Sequence, residues 1–163
     1  MHIRAAALAL ALGAACSCAE EVGRVDEVLV EKAKRRLTLL QKGRTVRQYE
    51  IALGFEPSGP KRASGDGRTP EGRYVIDRRN PNSAFHLSLH VSYPNEQDRE
   101  LSAVAGVDPG GDIMIHGLKN GLGWLGRLHS LSDWTLGCIA VTNSEIEEIW
   151  SMVPDGTPIE IRP

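Results

Sequence analysis

The sequence predicts a mostly β domain with two or three short helices, and three observations carry that reading. Short runs rich in Val, Ile, Leu and Tyr recur along the chain, separated by clusters of Gly, Pro and Asn, the signature of strands joined by turns. The clearest helix, beginning at Thr142, comes late and is brief. With 163 residues and no internal repeat, the chain has room for one sizeable core and one domain.

The elements follow in order. Residues 24–34 carry Val25, Val28, Leu29 and Val30 and fit either a strand or a helix. Residues 36–40 and 45–53 flank Lys42-Gly43 and read as a hairpin, because glycine accepts the positive φ of a tight turn. Residues 54–73 are rich in Gly and Pro and lack periodicity, so they form a long loop. It ends in the turn Thr69-Pro70-Glu71-Gly72, which feeds a strand at 73–78. A further strand spans 85–93, and residues 95–105 read as an amphipathic helix closed by Gly106. The nearly continuous apolar run at 112–116 suits a buried strand. Residues 121–130 hold a helical turn with Trp124, Leu125 and Leu128 on one side. After a brief strand at 139–141, Thr142 and Glu145 form a capping box, and Ile146, Ile149, Trp150 and Val153 give the stripe of a helix that Pro154 stops. Residues 158–161 complete the set as a last strand.

A formal net charge of −2 offers no basic field for nucleic acid or anionic membranes. Residues 1–19 read as a secretory signal peptide: Arg4, an Ala/Leu run over residues 5–15, then the small residues Ser17-Cys18-Ala19. That predicts export to the periplasm or cell envelope, with lipidation at Cys16 or Cys18 as the alternative. Once the signal is removed the protein is not an integral membrane protein, and Cys138 is the one cysteine in the remaining chain.

An unpaired cysteine in an exported protein is either protected by burial or kept for its reactivity. Gly137 precedes Cys138, and a glycine there lets the backbone turn tightly and present amides to an oxyanion. His116 ends a strand before Gly117. Alone it reads as a core histidine hydrogen-bonded to backbone, but beside Cys138 it becomes the candidate base. His129 is a weaker rival. His86 and His90 lie four apart on a strand, about 13 Å at ~3.3 Å per residue, too far for one metal. His90 remains a candidate for lining a substrate groove.

The run His116-Gly117 followed by Thr135-Leu136-Gly137-Cys138-Ile139 resembles the signature of L,D-transpeptidases of the YkuD type. Ile51-Ala52-Leu53-Gly54 and Gly67-Arg68-Thr69-Pro70-Glu71-Gly72-Arg73-Tyr74 resemble that family's approach to the site, so the likeness covers the domain 24–163. The resemblance implies a single β-sandwich or barrel-like catalytic domain acting on peptidoglycan stem peptides, with no metal or organic cofactor. An envelope protein as acyl donor or acceptor is a further implied partner. Cys138 would be the nucleophile, His116 the base, and the Gly137 and Cys138 amides the oxyanion donors. Gly117, His90, Trp134 and Thr135 would contact substrate. Leu136 and Ala140 depart from the commoner pattern, which has histidine and arginine there. Hydrolytic relatives (an L,D-carboxypeptidase or an amidase) and a non-catalytic wall-binding module are the alternatives.

Overall fold

The computed structural model describes residues 24–163; the expected signal peptide with Cys16 and Cys18 lies outside them. Eight strands form one curled sheet: β1 Glu27–Glu31, β2 Arg36–Gln41, β3 Arg44–Glu50, β4 Gly72–Ser83, β5 His86–Val91, β6 Met114–His116, β7 Ile139–Ala140 and β8 Thr157–Arg162. Their order is β3-β2-β1-β8-β4-β5-β6-β7, with β1·β8 and β6·β7 parallel and the other pairs antiparallel. Past β3 the chain reaches the far edge, where Ala52 and Ala140 exchange backbone hydrogen bonds of 3.0 and 2.9 Å. The sheet therefore curls until its two edges meet, in the barrel-like form expected, and the edge amides find partners. Helices α1 Glu96–Ala105 and α2 Asn143–Met152 complete the fold with a 3-10 segment, Gly123–Leu131.

Local chemistry sets these elements. Val28 and Val30 alternate inward, which resolves the 24–34 run as a strand over Glu27–Glu31, with a turn after it. Lys42 and Gly43, at φ 51° and 72°, make the expected hairpin turn between β2 and β3. Asn95 and Asp98 cap α1 reciprocally, as Thr142 and Glu145 cap α2. Two expectations need correction. The strand starting near residue 73 continues to Ser83, because its distal half pairs with β5 through register shifts. The turn near residue 121 is a 3-10 segment broken at Gly126, and it leaves Trp124 and Leu128 exposed. Isoleucine and valine from both halves of the sheet fill the core, which Ile146 and Ile149 of α2 seal.

The 54–73 loop is strapped down along its length. The buried Lys32 ammonium donates to the carbonyls of Gly59 (2.7 Å) and Thr69 (2.9 Å) and to Glu71 (2.8 Å). The Asp66 carboxylate accepts the Arg62, Ala63 and Arg68 amides and binds Lys61. Burial pushes Asp66 up, but those donors outweigh it and hold it at about 2.

Candidate functional site

Register builds the site. In the parallel pair β6·β7, Ile115 faces Ile139 and His116 faces Ala140, which sets Cys138, one residue before β7, beside Met114. Side chains two apart share a face. Met114, His116 and Cys138 therefore lie on the open face, while Ile115 and Ile139 turn into the core. From β5, Ser88 and His90 pair with His116 and Met114 and extend the same face. His116 and Cys138 line one cleft of about 380 Å³ together with Ser88, Asp112, Trp134 and Leu136.

The imidazole is fixed in one orientation. His116 Nδ1 lies 2.6 Å from the Gly117 carbonyl; a carbonyl only accepts, so Nδ1 carries the proton and Nε2 holds the lone pair. Phe85 packs against the ring at 4.5 Å between centroids, and Trp134 meets it edge-on at 5.8 Å. Burial lowers the His116 pKa from the ordinary histidine value, the Gly117 bond opposes this, and nearby His129 lowers it further. Burial raises the Cys138 thiol, partly countered by the Met114 amide, and the thiol donates to the Asp112 carbonyl at 3.5 Å. At neutral pH the pair is thus an uncharged thiol and an uncharged imidazole.

The Cys138 loop is held from both sides. Thr135 donates its hydroxyl to the Cys138 carbonyl (2.7 Å) and accepts the Gly137 amide (3.1 Å). Its backbone pairs with Leu53 and Phe55. Asp133 takes Arg35 Nε and Nη2 at 2.7–3.1 Å and the Leu53 amide at 2.9 Å. Gly137 sits at φ 128°, where a Cβ would lie 2.6 Å from the Arg68 carbonyl. Ala140 is fully buried in the closing bridge with Ala52, so the guanidinium bracing this loop comes from Arg35 instead.

The sequence-named residues separate accordingly. Cys138, His116, Trp134 and Thr135 come together at the cleft. Three expectations change. The Gly137 amide is donated to Thr135, leaving Cys138 to offer its own. Gly117 is packed against Asn143, Ile146 and Phe85, so it contributes its carbonyl to His116 rather than a substrate contact. His90 shares the open face, but its Nδ1 bonds Asp77 at 2.5 Å and the ring stands outside the cleft lining. His86 bonds a different carboxylate, Glu147. His129 lines a neighbouring groove of about 430 Å³ with Leu122, Leu125 and Leu128, away from Cys138. Phe85, Ser88 and Asp112 were missed; only the alternation of strand β5 hinted that Ser88 faces the histidine.

A family model described as the L,D-transpeptidase catalytic domain, YkuD, matches residues 26–161. The Escherichia coli K12 protein named "Putative L,D-transpeptidase YafK" is 32% identical over 107 residues, 64% of this chain and 36% of that protein. Among solved structures, the helical cell shape determining protein Pgp2 from Campylobacter jejuni superposes with a TM-score of 0.66 at 27% identity, covering 86% of this chain and 49% of Pgp2. An L,D-transpeptidase from Mycobacterium smegmatis, 14% identical with a TM-score of 0.56 over 84% of this chain and 58% of its own, shares the fold. The chain spans about a third of the curated relative's length and about half of the Pgp2 chain.

Proposed function

The chain belongs to the L,D-transpeptidase catalytic-domain family, and from that premise we propose that it is an exported cysteine acyltransferase acting on peptidoglycan stem peptides in the periplasm or cell envelope. The observation that carries the reading is the β6·β7 register, which sets His116 and Cys138 on one face and in one cleft. In the first step Cys138 Sγ bonds to the carbonyl carbon of an L-centred stem residue while its proton passes to His116 Nε2. The Cys138 amide faces the developing oxyanion. Collapse breaks the amide bond to the following D-residue, and His116 returns the proton to the leaving amine. The resulting thioester is then attacked by an amine, giving a cross-link, or by water, giving a shortened peptide; His116 takes the nucleophile's proton and, as the C–S bond breaks, returns it to the departing Cys138 Sγ.

Incubating the purified protein with peptidoglycan and identifying the muropeptides by mass spectrometry tests this. New cross-linked products mark a transpeptidase, and shortened or released peptides mark a carboxypeptidase or amidase. A carbapenem adduct on the intact protein, absent in Cys138→Ala, locates the nucleophile. Unaltered peptidoglycan together with no adduct on Cys138 would leave a non-catalytic wall-binding module as the surviving account.

A further inference from the structure

The open face carries a charged pair that neither the fold nor the proposed chemistry uses. Arg78 Nη2 and Asp112 Oδ1 stand 3.9 Å apart, with side chains 63% and 87% exposed, and Asp112 is one of the residues lining the cleft. At that distance and exposure the two ions hold each other weakly, so both remain available to a ligand.

Each is placed by a departure from regular backbone. Asp112 has φ 53°, a left-handed conformation that non-glycine residues adopt at a cost and that gathers at functional sites. Its carbonyl takes the Cys138 thiol, and the residue is part of the cleft lining. In β4 the register shifts between Ile76 and Arg78. Without that bulge Arg78, two residues beyond the buried Ile76, would point into the core. With it, Arg78 pairs with His90 and joins the cross-strand row through Met114 to Cys138.

We infer that Arg78 and Asp112 form a subsite for a zwitterionic α-amino-acid terminus, the guanidinium taking its carboxylate and Asp112 its ammonium. This rests on the proposed reading of Cys138 as nucleophile toward a stem-peptide carbonyl. The residue under attack lies against Sγ, so its side chain starts beside Asp112. A side chain of a few methylenes ending in both an ammonium and a carboxylate, as in diaminopimelate, brings that terminus between the two charges. The planar fork of arginine suits a carboxylate. A lysine-type stem ends in an ammonium alone and engages Asp112 only.

Calorimetric titration of the full chain carrying Cys138→Ala separates the two charges. Three synthetic stem tetrapeptides are compared, with the reacting residue's side chain ending in both charges (diaminopimelate), the ammonium alone (lysine) or the carboxylate alone (2-aminopimelate). The diaminopimelate peptide binds tightest. Added to Cys138→Ala, Arg78→Gln weakens the two carboxylate-bearing peptides about tenfold, the scale of one charge-assisted contact, and spares the lysine peptide. Asp112→Asn does the mirror image, and Arg99→Gln on α1 shifts none. Equal affinity of all three peptides, absence of binding, or an equal loss for all three in the Arg78 variant overturns the subsite. Turnover by the unmodified enzyme is scored separately. Selective binding without turnover refutes the catalytic reading and keeps the subsite; turnover without selectivity does the reverse.

Discussion

The brace between Arg35 and Asp133 offers the sharpest test of how the nucleophile's loop is held. Asp133 accepts three contacts from the Arg35 guanidinium and one from the Leu53 amide, and its side chain is 15% exposed against 34% for Arg35. An exposed pair contributes about 0–1 kcal/mol, and stripping one partner from a fully buried pair costs about 3–5 kcal/mol. This half-buried pair falls between, so Asp133→Ala, which also orphans the Leu53 amide, should cost about 2–3 kcal/mol. Asp133→Asn keeps an acceptor for Leu53 and should cost about 1 kcal/mol. For a domain of this size the Asp133→Ala loss lowers Tm by roughly 4–10 °C. Thermal unfolding followed by circular dichroism measures it, and an Arg35→Ala/Asp133→Ala cycle should return a coupling of about 1 kcal/mol. Since Asp133 leads directly into Trp134 and Thr135 of the cleft, carbapenem acylation of Cys138 should slow in the same variants. An Asp133→Ala loss below about 0.3 kcal/mol, or strictly additive single effects, would refute the brace.

Two further outcomes follow from the site. Because burial raises Cys138 and lowers His116, iodoacetamide should alkylate Cys138 no faster at pH 7 than it alkylates a free thiol. The acylation rate should hold level from below the ordinary histidine value to above the ordinary cysteine value, falling on the acid side as His116 is protonated and the base is lost. Rapid alkylation persisting at pH 5 would instead reveal a preformed thiolate–imidazolium pair. Gly137→Ala forces a Cβ against the Arg68 carbonyl at a positive φ, so it should destabilise by about 2 kcal/mol or more and depress acylation together. Unchanged urea midpoints in that variant would show that the loop yields instead.

Local signals in the sequence were enough for the hairpin at Lys42-Gly43 and the capping box at Thr142, since each depends on near neighbours; the meeting of His116 with Cys138 needs β6 and β7 to pair in register. Much of what escaped has partners far along the chain. Arg35 reaches Asp133 across 98 residues, and no periodicity announces such a pair. Lys32 is buried by three loop oxygens, against the usual exposure of lysine. The Gly137 amide looked free for an oxyanion because nothing in Thr-Leu-Gly-Cys shows that the threonine hydroxyl folds back to take it. The bulge in β4 was hidden as well, although Asp77-Arg78-Arg79 interrupts the apolar alternation at that point.

The electrostatic state of the pair has burial as its largest cause at both residues. Burying an acid that ionises to an anion raises its pKa, and burying a base that protonates to a cation lowers it. One cleft wall therefore leaves the Cys138 thiol protonated and His116 Nε2 unprotonated over the same range of pH, which is the state that general-base attack requires. The same burial keeps thiolate character low, and oxidation of cysteine follows thiolate character. For an unpaired cysteine in the exported protein proposed above, that lowers the exposure to oxidants while no substrate is bound. The cost is that sulfur becomes a strong nucleophile only as its proton leaves, so the base must already be oriented. The bond from His116 Nδ1 to the Gly117 carbonyl and the packing of Phe85 and Trp134 supply that orientation.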